Sequence, residues 1–487
     1  MERDLYFILI INLIQKLTFI FKNFEIVLFK FFNIIKKIIN VGIMSGPFSG
    51  FGIQTDLKVE SFSTSKDPYY QKIKKILSSN NIMASLSIEK TKKLQKELLY
   101  PYLEFFIRND NNNYYKNLFF NRGIAKDKKG NLSSNLDLHD LIKLRIHSDD
   151  LRGDGQKPRL IYHSKNKNEG MYFKSSGTTV GTVGPVDVFR SNLTLSLSRL
   201  TNGNLIDWSV GKKINSGECL FHMAPEMTDF LAFAAIGSDF LRYRGLNVSF
   251  GAKVKAGPKD TTIWQRIGPD IGQMRKFFKD KSDIKYFIAS GVGLYKMFIE
   301  PVGLKKYAMK FMLNAPPVYL GKDGILMIGG GLKRLPEEIT SLNQVVQATG
   351  ENIIAGNNKN DNPAPVIDML GLTESINVFI GVPTDPFSSS PWVKYPHPLT
   401  YVALLNSPND LTPVENPVPG KEYLLFYVNL MTLDYVEAII PGDFVLASEK
   451  ENSIETALGN RNVSQPGFIY SRRAEQNEGF KIREGCG

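Results

Sequence analysis

The sequence predicts an α/β fold, and three observations predict it. From residue 158 onward, short β-branched or aromatic runs alternate with helical stretches, the texture of a sheet buried between helices. The last third, through "TYVALLN", "KEYLLFYVNL" and "DYVEAIIPGDFVLAS", is rich in strand formers separated by turn residues and reads as a more antiparallel β region. A chain of 487 residues, 43% hydrophobic and 22% charged, suits one large multilayer domain or two to three units rather than a disordered polymer.

Residues 1–43 are apolar and basic. Lys16, Lys22, Glu25, Lys30, Lys36 and Lys37 interrupt them, and the longest uncharged run, about eleven residues, gives roughly 16 Å of helix against a hydrocarbon core of about 30 Å. The segment is too short to span a bilayer and lacks a signal-peptide cleavage pattern. It reads either as an interfacial helix, touching a membrane surface with its lysines at the headgroups, or as sequence upstream of a native start at Met44, the reading we favour. Residues 44–157 form a helical lead-in. A Gly/Ser/Thr-rich stretch to about Thr64 precedes the helical patterns "YYQKIKKILSS" and "SIEKTKKLQKELLYPYLEFFIRN", the second with Ser87 as a cap. "DKKGN" is a turn and "DLHDLIKLRIHS" a further helix. Beyond 158, "PRLIYHS", "GMYF", "ECLFHMAP", "DIKYFIAS", "GILMIGGG", "NIIAGN" and "INVFIGVP" read as strands, with helices over 264–280, 292–313 and 336–348.

The net charge is +12 and the pI about 9.3. Such a balance suits nucleic acid, a membrane surface or anionic substrates. The lysines are spread, and no zinc-finger spacing or RNA-recognition signature is present, which argues against nucleic acid; a triphosphate substrate suits the same excess. Two cysteines, Cys219 and Cys486, exclude a disulfide framework and fit a reducing cytoplasm, and five histidines with no close pair argue against a zinc site.

Four segments carry candidate chemistry. "FKSSGTTVGTVGP" (173–185) sets Lys174 before a run of Ser, Gly and Thr whose amides and hydroxyls can cup an anion. Its spacing is not that of a Walker loop, and alone it is equally an ordinary flexible loop. "ILMIGGGLKRLPEE" (325–338) ends a buried strand in three glycines before Lys333 and a Pro-initiated helix, where open α/β sheets bind ligands; a tight strand-to-helix turn has the same pattern. "DMLGLTESINVF" (368–379) sets Thr373 and Glu374 between two apolar runs. A carboxylate beside a hydroxyl suits Mg²⁺ and phosphate, or simply a helix cap. In "AIIPGDFVLAS", Asp443 follows a Pro-Gly turn, and Arg473 lies in the following "YSRRAEQNEGFKIREGCG". An acidic group there suits a ribose diol, or an ordinary turn.

In this order the segments resemble those of the adenylate-forming enzymes: a Ser/Thr/Gly loop, a glycine loop, "YGxTE", "TGD" and "SGRxxD…KxRG". "GLTE", "PGD" and "SRRAE…KIREG" are similar to the last three in turn. The closest likeness is to the acyl-protein synthetase (LuxE) family, whose "GGGWK" and terminal "RGC" are similar to "GGGLK" and "REGC" here. The resemblance covers about 158–487. It implies a large adenylate-forming domain of mixed sheets flanked by helices with a β-rich subdomain, without the usual small C-terminal domain. It further implies that Lys174, Ser175, Ser176, Gly177, Thr178 and Thr179 cradle the β- and γ-phosphates of ATP, and that Gly329, Gly330 and Gly331 line adenine. Thr373 would touch the α-phosphate, Glu374 would hold Mg²⁺, and Asp443 and Arg473 would hold the ribose. Departures are Val180 for a glycine, Leu370 for the tyrosine of "YGxTE", Pro441 for the threonine before "GD" and Arg472 for the glycine of "SGR".

The implied reaction activates a carboxylic acid, fatty by the family likeness, as an acyl adenylate. Cys486 is then the expected acyl acceptor, its thiolate favoured by Lys481, Arg472, Arg473 and Arg483, and Cys486, Lys174 and Thr373 are the candidate catalytic residues. The acyl group would pass on to a partner protein, a reductase or carrier. Two alternatives stand beside this: an acyl- or aryl-CoA or carrier-protein ligase, and a non-catalytic nucleotide- or acyl-binding homologue. Cys219 reads as buried core, and His222 either as a neighbour of the acyl pocket or as a structural histidine. The expected location is cytoplasmic, with peripheral membrane contact through 1–43.

Overall fold

A computed structural model describes residues 65–79, 82–110, 113–146, 170–174, 187–225, 241–254, 267–279, 284–300, 317–330, 335–350, 352–371, 375, 378–382 and 392–473. All belong to one compact unit, Ser61–Gly487. The helical lead-in contains α1 (Pro68–Ser78), α2 (Ile82–Ser85), α3 (Ile88–Arg108) and α4 (Tyr114–Asn121), then a 3₁₀ helix over Leu138–Leu144. Their starts are chemically marked. Asp67 accepts from the Tyr69 amide with Pro68 in the first turn, and Ser87 accepts from the Lys90 amide, as the sequence predicts.

A hairpin follows, β1 (Gly170–Lys174) and β2 (Asp187–Ser191), leading into the long helix α5 (Asn192–Val210). Ser191 caps α5 by accepting from the Thr194 amide, and Gly211 ends it in the left-handed conformation at φ 79°. Next come β3 (Cys219–Pro225), β4 (Asn247–Val254), β5 (Ile267–Pro269), helix α6 (Ile271–Lys279), β6 (Ile284–Ser290) and the short α7 (Gly291–Leu294), which continues as a π turn to Ile299. Beyond these lie β7 (Val318–Tyr319), β8 (Ile325–Gly329), helix α8 (Leu342–Gly350), β9 (Ile353–Ile354), β10 (Val366–Gly371), β11 (Val378–Val382) and β12 (Val393–Tyr395). The β-rich end comprises β13 (Thr400–Ser407), β14 (Asp410–Pro413), β15 (Glu422–Asn429), β16 (Ala438–Ile439), β17 (Asp443–Ala447), β18 (Ser453–Thr456), β19 (Gly459–Asn462) and β20 (Phe468–Arg473).

One fourteen-stranded sheet runs β14-β13-β15-β17-β20-β12-β11-β10-β8-β6-β3-β4-β5, with β16 alongside β15. The run β10-β8-β6-β3-β4 is parallel, and from β10 through β14 every pairing is antiparallel. The predicted α/β class with a mixed sheet and a β-rich end is therefore the observed one.

Both faces of the parallel half are covered, and side chains alternate between them. Leu220, Tyr286, Ile288, Ile325, Met327, Ile367 and Met369 pack under Leu205, Ile206 and Trp208 of α5. Phe221, Phe287, Ala289, Leu326, Ile328 and Val366 face Phe277 of α6, Leu294 of α7 and Val345 of α8. The antiparallel half alternates likewise. Leu424, Phe426 and Val428 lie against α1, α3 and α4, while Tyr423, Leu425 and Tyr427 join Phe379, Val445 and Phe468. The helical lead-in thus closes one face of the β-rich end.

Two sequence expectations are corrected. The helix expected from Pro336 begins at Leu342. The Gln344 amide bonds to Ser341 Oγ while Gln344 Oε1 accepts from the amides of Thr340 and Ser341, a reciprocal cap that fixes the start there. The helix expected from 264 begins at Ile271, because Ile267–Pro269 pair with β4 as an edge strand.

Within the sheet, buried Lys394 on β12 donates to buried Asp368 on β10 across β11. Replacing Lys394 by Met leaves that carboxylate without its cation and should cost about 3–5 kcal/mol in chemical denaturation. The double replacement Lys394→Met with Asp368→Leu should recover most of it. A single-variant loss below about 1 kcal/mol would contradict the pairing.

Candidate active site

The Ser/Thr/Gly loop, 175–186, is bracketed by the β1–β2 hairpin, whose closing pair is Lys174 opposite Asp187. Ser175, Ser176, Gly177, Thr178 and Thr179 lie outside the described residues, and of Lys174 the backbone alone is described. Four residues beyond the loop, Arg190 turns into the protein and is fully buried.

The glycine segment lies at the carboxyl end of β8. Gly329 pairs with Ser290 at the end of β6 and with Met369 on β10. Gly330 follows at φ 80°, a conformation that glycine adopts without cost and that turns the chain out of the sheet. Gly331 lies outside the described residues. Ser290 caps α7 by accepting from the Gly293 amide at 3.0 Å.

β10 and β11 form an antiparallel pair, Gly371 opposite Val378, and Thr373 and Glu374 lie between them in the chain, outside the described residues. Ser375, one residue on, is described and buried. Its hydroxyl donates to Glu437 Oε1 at 2.5 Å. Leu370, where the resemblance has tyrosine, is half-buried against the Phe379–Tyr427–Phe468 cluster.

Glu437 is the centre of a buried polar knot. Arg190 Nη2 donates to its Oε2 at 3.1 Å, Thr432 Oγ1 to Oε2 at 2.6 Å and Asn429 Nδ2 to Oε1 at 3.3 Å. The Glu437 amide donates to Tyr102 Oη of α3. Arg190 also donates to Tyr435 Oη at 2.6 Å, with its guanidinium 4.6 Å from that ring's centre. Asp434 stands 3.9 Å from Arg190 Nη1 and accepts from the Ser191 amide at the start of α5. Burial pushes the Glu437 carboxyl up to about 6, against the opposing pull of Arg190, and burial raises Asp434 as well.

Five residues after Glu437, Gly442 at φ 80° leads into β17, whose first residue is Asp443, buried and directly opposite Arg473 on β20. Arg472 is not idle beside it. It donates to Glu422 Oε1 at 2.9 and 3.2 Å and lies over the Phe444 ring at 4.4 Å. That clamp accounts for an arginine where the resemblance has glycine: it fastens the end of β20 to β15 and β17.

Of the remaining candidates, Cys219 is half-buried at the start of β3, and Cys486 lies outside the described residues. His222 is buried on β3 beside Phe250, at 6.1 Å between ring centres. Among the described residues no group of three or more His, Cys, Asp or Glu gathers to hold a metal, and no helix is long and apolar enough to cross a membrane.

Sequence reading missed Arg190, Asp434 and Glu437. The available signal was charge in a buried context: an arginine inside "VFRS" and acids inside "LDYVEAII", each among strand formers.

No protein-family model matches the chain, and no curated protein does. Solved structures match in fold. A 2-hydroxyisobutyryl-CoA ligase bound to its acyl-AMP and CoA, in the thioesterification state, aligns at TM-score 0.50 and 12% identity over 80% of this chain and 70% of that one. Its open conformation aligns at 0.47 and 12% over 79% and 76%. An artificially fused adenylation–PCP di-domain from Klebsiella oxytoca, NpsA-ThdA, aligns at 0.36 and 15% over 64% and 51%. The chain has the fold of that ligase.

His222 and His397 give a pH signature. Burial lowers His222 to about 4 and His397 to about 3, from an ordinary 6.5. The unfolded imidazoles take up protons below 6.5 while the folded ones stay neutral, so their contribution is full above 6.5 and is lost as pH falls toward 4. His222 alone should remove up to about 3 kcal/mol over that window. Ring NMR should show no midpoint for either above pH 5; a midpoint near 6.5 would contradict their burial.

Proposed function

We propose that the protein activates a carboxylic acid with ATP, forming an acyl adenylate and pyrophosphate. The observation that carries the reading is continuity between the four motif segments. Glu437 touches Arg190 on the strand that follows the Ser/Thr/Gly loop and Ser375, the residue after Thr373 and Glu374, and lies six residues before Asp443; Gly329 pairs with β10, the strand that precedes Thr373. The fold shared with a ligase that holds an acyl-AMP supports it. In this reading residues 158–487 form the adenylate-forming domain behind the lead-in.

A carboxylate is a poor acyl donor because its oxygen leaves badly. Attack of one carboxylate oxygen on the α-phosphorus of ATP forms the P–O bond of the acyl adenylate and releases pyrophosphate. In the proposed roles, Lys174 and the amides and hydroxyls of Ser175, Ser176, Gly177, Thr178 and Thr179 hold the β- and γ-phosphates. Thr373 donates to the α-phosphate, Gly329, Gly330 and Gly331 leave room for the adenine plane, and Asp443 accepts from the ribose hydroxyls beside Arg473. A single acidic residue beside a hydroxyl, Glu374 next to Thr373, is a donor set that fits Mg²⁺, which takes its other positions from phosphate and water; when bound, the ion neutralises phosphate charge.

The acyl group then passes to a thiol. We assign that role to Cys486: its thiolate attacks the acyl carbonyl, the C–S bond forms, and the C–O bond breaks to release AMP. The thioester supplies a partner protein, a reductase or carrier. A second reading, transfer to coenzyme A or a carrier protein, is favoured by the CoA held in the ligase of similar fold.

Acid-dependent exchange of pyrophosphate into ATP tests the first step across a panel of carboxylic acids, and exchange with at least one is expected. No exchange with any acid would leave a binding protein. With a labelled acid, label should stay on the denatured chain and vanish in Cys486→Ser. Label absent from the wild-type protein but present on added CoA would favour the second reading.

A further inference from the structure

We propose that Glu437 is a positioning residue of the adenylation reaction, one carboxylate that orients the phosphate loop, the Thr373–Glu374 segment and the approach to Asp443 together. This deepens the reading above and rests on it. The knot's composition argues for orientation rather than cohesion. Arg190, Asp434 and Glu437 are buried, so two carboxylates face one guanidinium away from bulk solvent. A buried arrangement of this kind is often matched or exceeded in stability by apolar packing of similar volume. What it provides is direction. The two in-plane oxygens of Glu437 take four donors, and two of those donors belong to chain segments that carry the proposed site.

Each arm is short. Arg190 stands four residues beyond the loop's last residue and three beyond Asp187, the loop-closing partner of Lys174. Ser375 stands one residue past Glu374 and two past Thr373. The chain from Glu437 enters β16, which pairs with β15, and reaches Asp443 through Gly442. A shift of Glu437 therefore moves all three segments relative to one another, and a misplacement of about 1 Å in such a site costs on the order of 100-fold in rate.

Arg190 from β2 and neutral Ser375, Thr432 and Asn429 bond the Glu437 carboxylate, Tyr102 from α3 bonds its amide, and Asp434 and Tyr435, from the segment before β16, reach it through Arg190. With burial holding its carboxyl near 6, Glu437 is an anion above that pH and gains a proton below it. Protonation removes an acceptor position from the knot, so the wild-type rate should fall as pH drops through about 6.

The test is pyrophosphate exchange by the full chain. Glu437→Gln keeps the shape and removes the charge. It should lower kcat about 10- to 100-fold with KM for the acid within about threefold, and its kcat–pH profile should lack the acid limb near 6. Ser375→Ala and Thr432→Ala each delete one hydroxyl donor to the same carboxylate, so their stability losses should be alike. Both deletions loosen Glu437, but only Ser375 ties it directly to the Thr373–Glu374 segment, so Ser375→Ala should lower kcat about tenfold and Thr432→Ala clearly less, about threefold. If Glu437→Gln does not fold, the serine–threonine contrast decides. Equal kcat in the two hydroxyl variants, or an unchanged kcat and acid limb in a folded Glu437→Gln, overturns the positioning role while wild-type exchange leaves adenylation standing. A wild type that exchanges with no acid overturns both.

Discussion

The Glu437 carboxylate, closed off from water and shared among Arg190, Ser375, Thr432 and Asn429, is the constraint on which the rest of this molecule's organisation turns. Sheet hydrogen bonding alone aligns β8 with β10 and β17 with β20. It does not join the hairpin β1–β2, a separate two-stranded sheet, to either. That join is made by side chains: Arg190 with Glu437 and Tyr435, and the Ser191 amide with Asp434. Because the low internal dielectric strengthens each of these contacts and penalises any that is missing, the knot is stiff where an exposed ion pair would not be.

Around the knot, the two halves of the sheet serve different ends. The parallel strands are buried on both faces and deliver loops from their carboxyl ends, where Ser290, Gly329 and Gly371 gather. The antiparallel end, closed on one face by α1, α3 and α4, carries Asp443 and Arg473 side by side. Tyr102 links the layers, its hydroxyl accepting from the Glu437 amide while donating to the Asn429 carbonyl. The helical lead-in thus reaches the same knot from the outside.

Most elements were legible because their signals are local. Ser87 with Lys90 marks a helix start, "DIKYFIAS" and "GILMIGGG" are apolar runs ended by small residues, and Gly442 follows proline before a strand. The helix after the triple glycine starts later than its sequence indicates because Pro336 is a strong start signal, whereas the deciding cap is the weaker Ser341–Gln344 pair five residues on. The four candidate segments were visible as motifs, since glycines, hydroxyls and an acid must stand at fixed offsets to hold a nucleotide. The knot joining them was not. Arg190 and Glu437 are 247 residues apart, and neither has a local pattern that names the other. Arg472 shows in the sequence only as a departure from a motif, because its partner Glu422 lies fifty residues away.

In the proposed function this knot assembles one nucleotide seat from distant segments. A crystal structure of the full chain with an adenosine acyl-sulfamate, a stable mimic of the acyl adenylate, tests it most directly. The sulfamate should lie within hydrogen-bonding distance of Thr373, the ribose hydroxyls on Asp443 and the adenine against Gly329 and Gly330, with Glu437 still bonded to Arg190 and Ser375. An analogue seated away from these residues, or bound only after the Glu437 contacts have come apart, would contradict it.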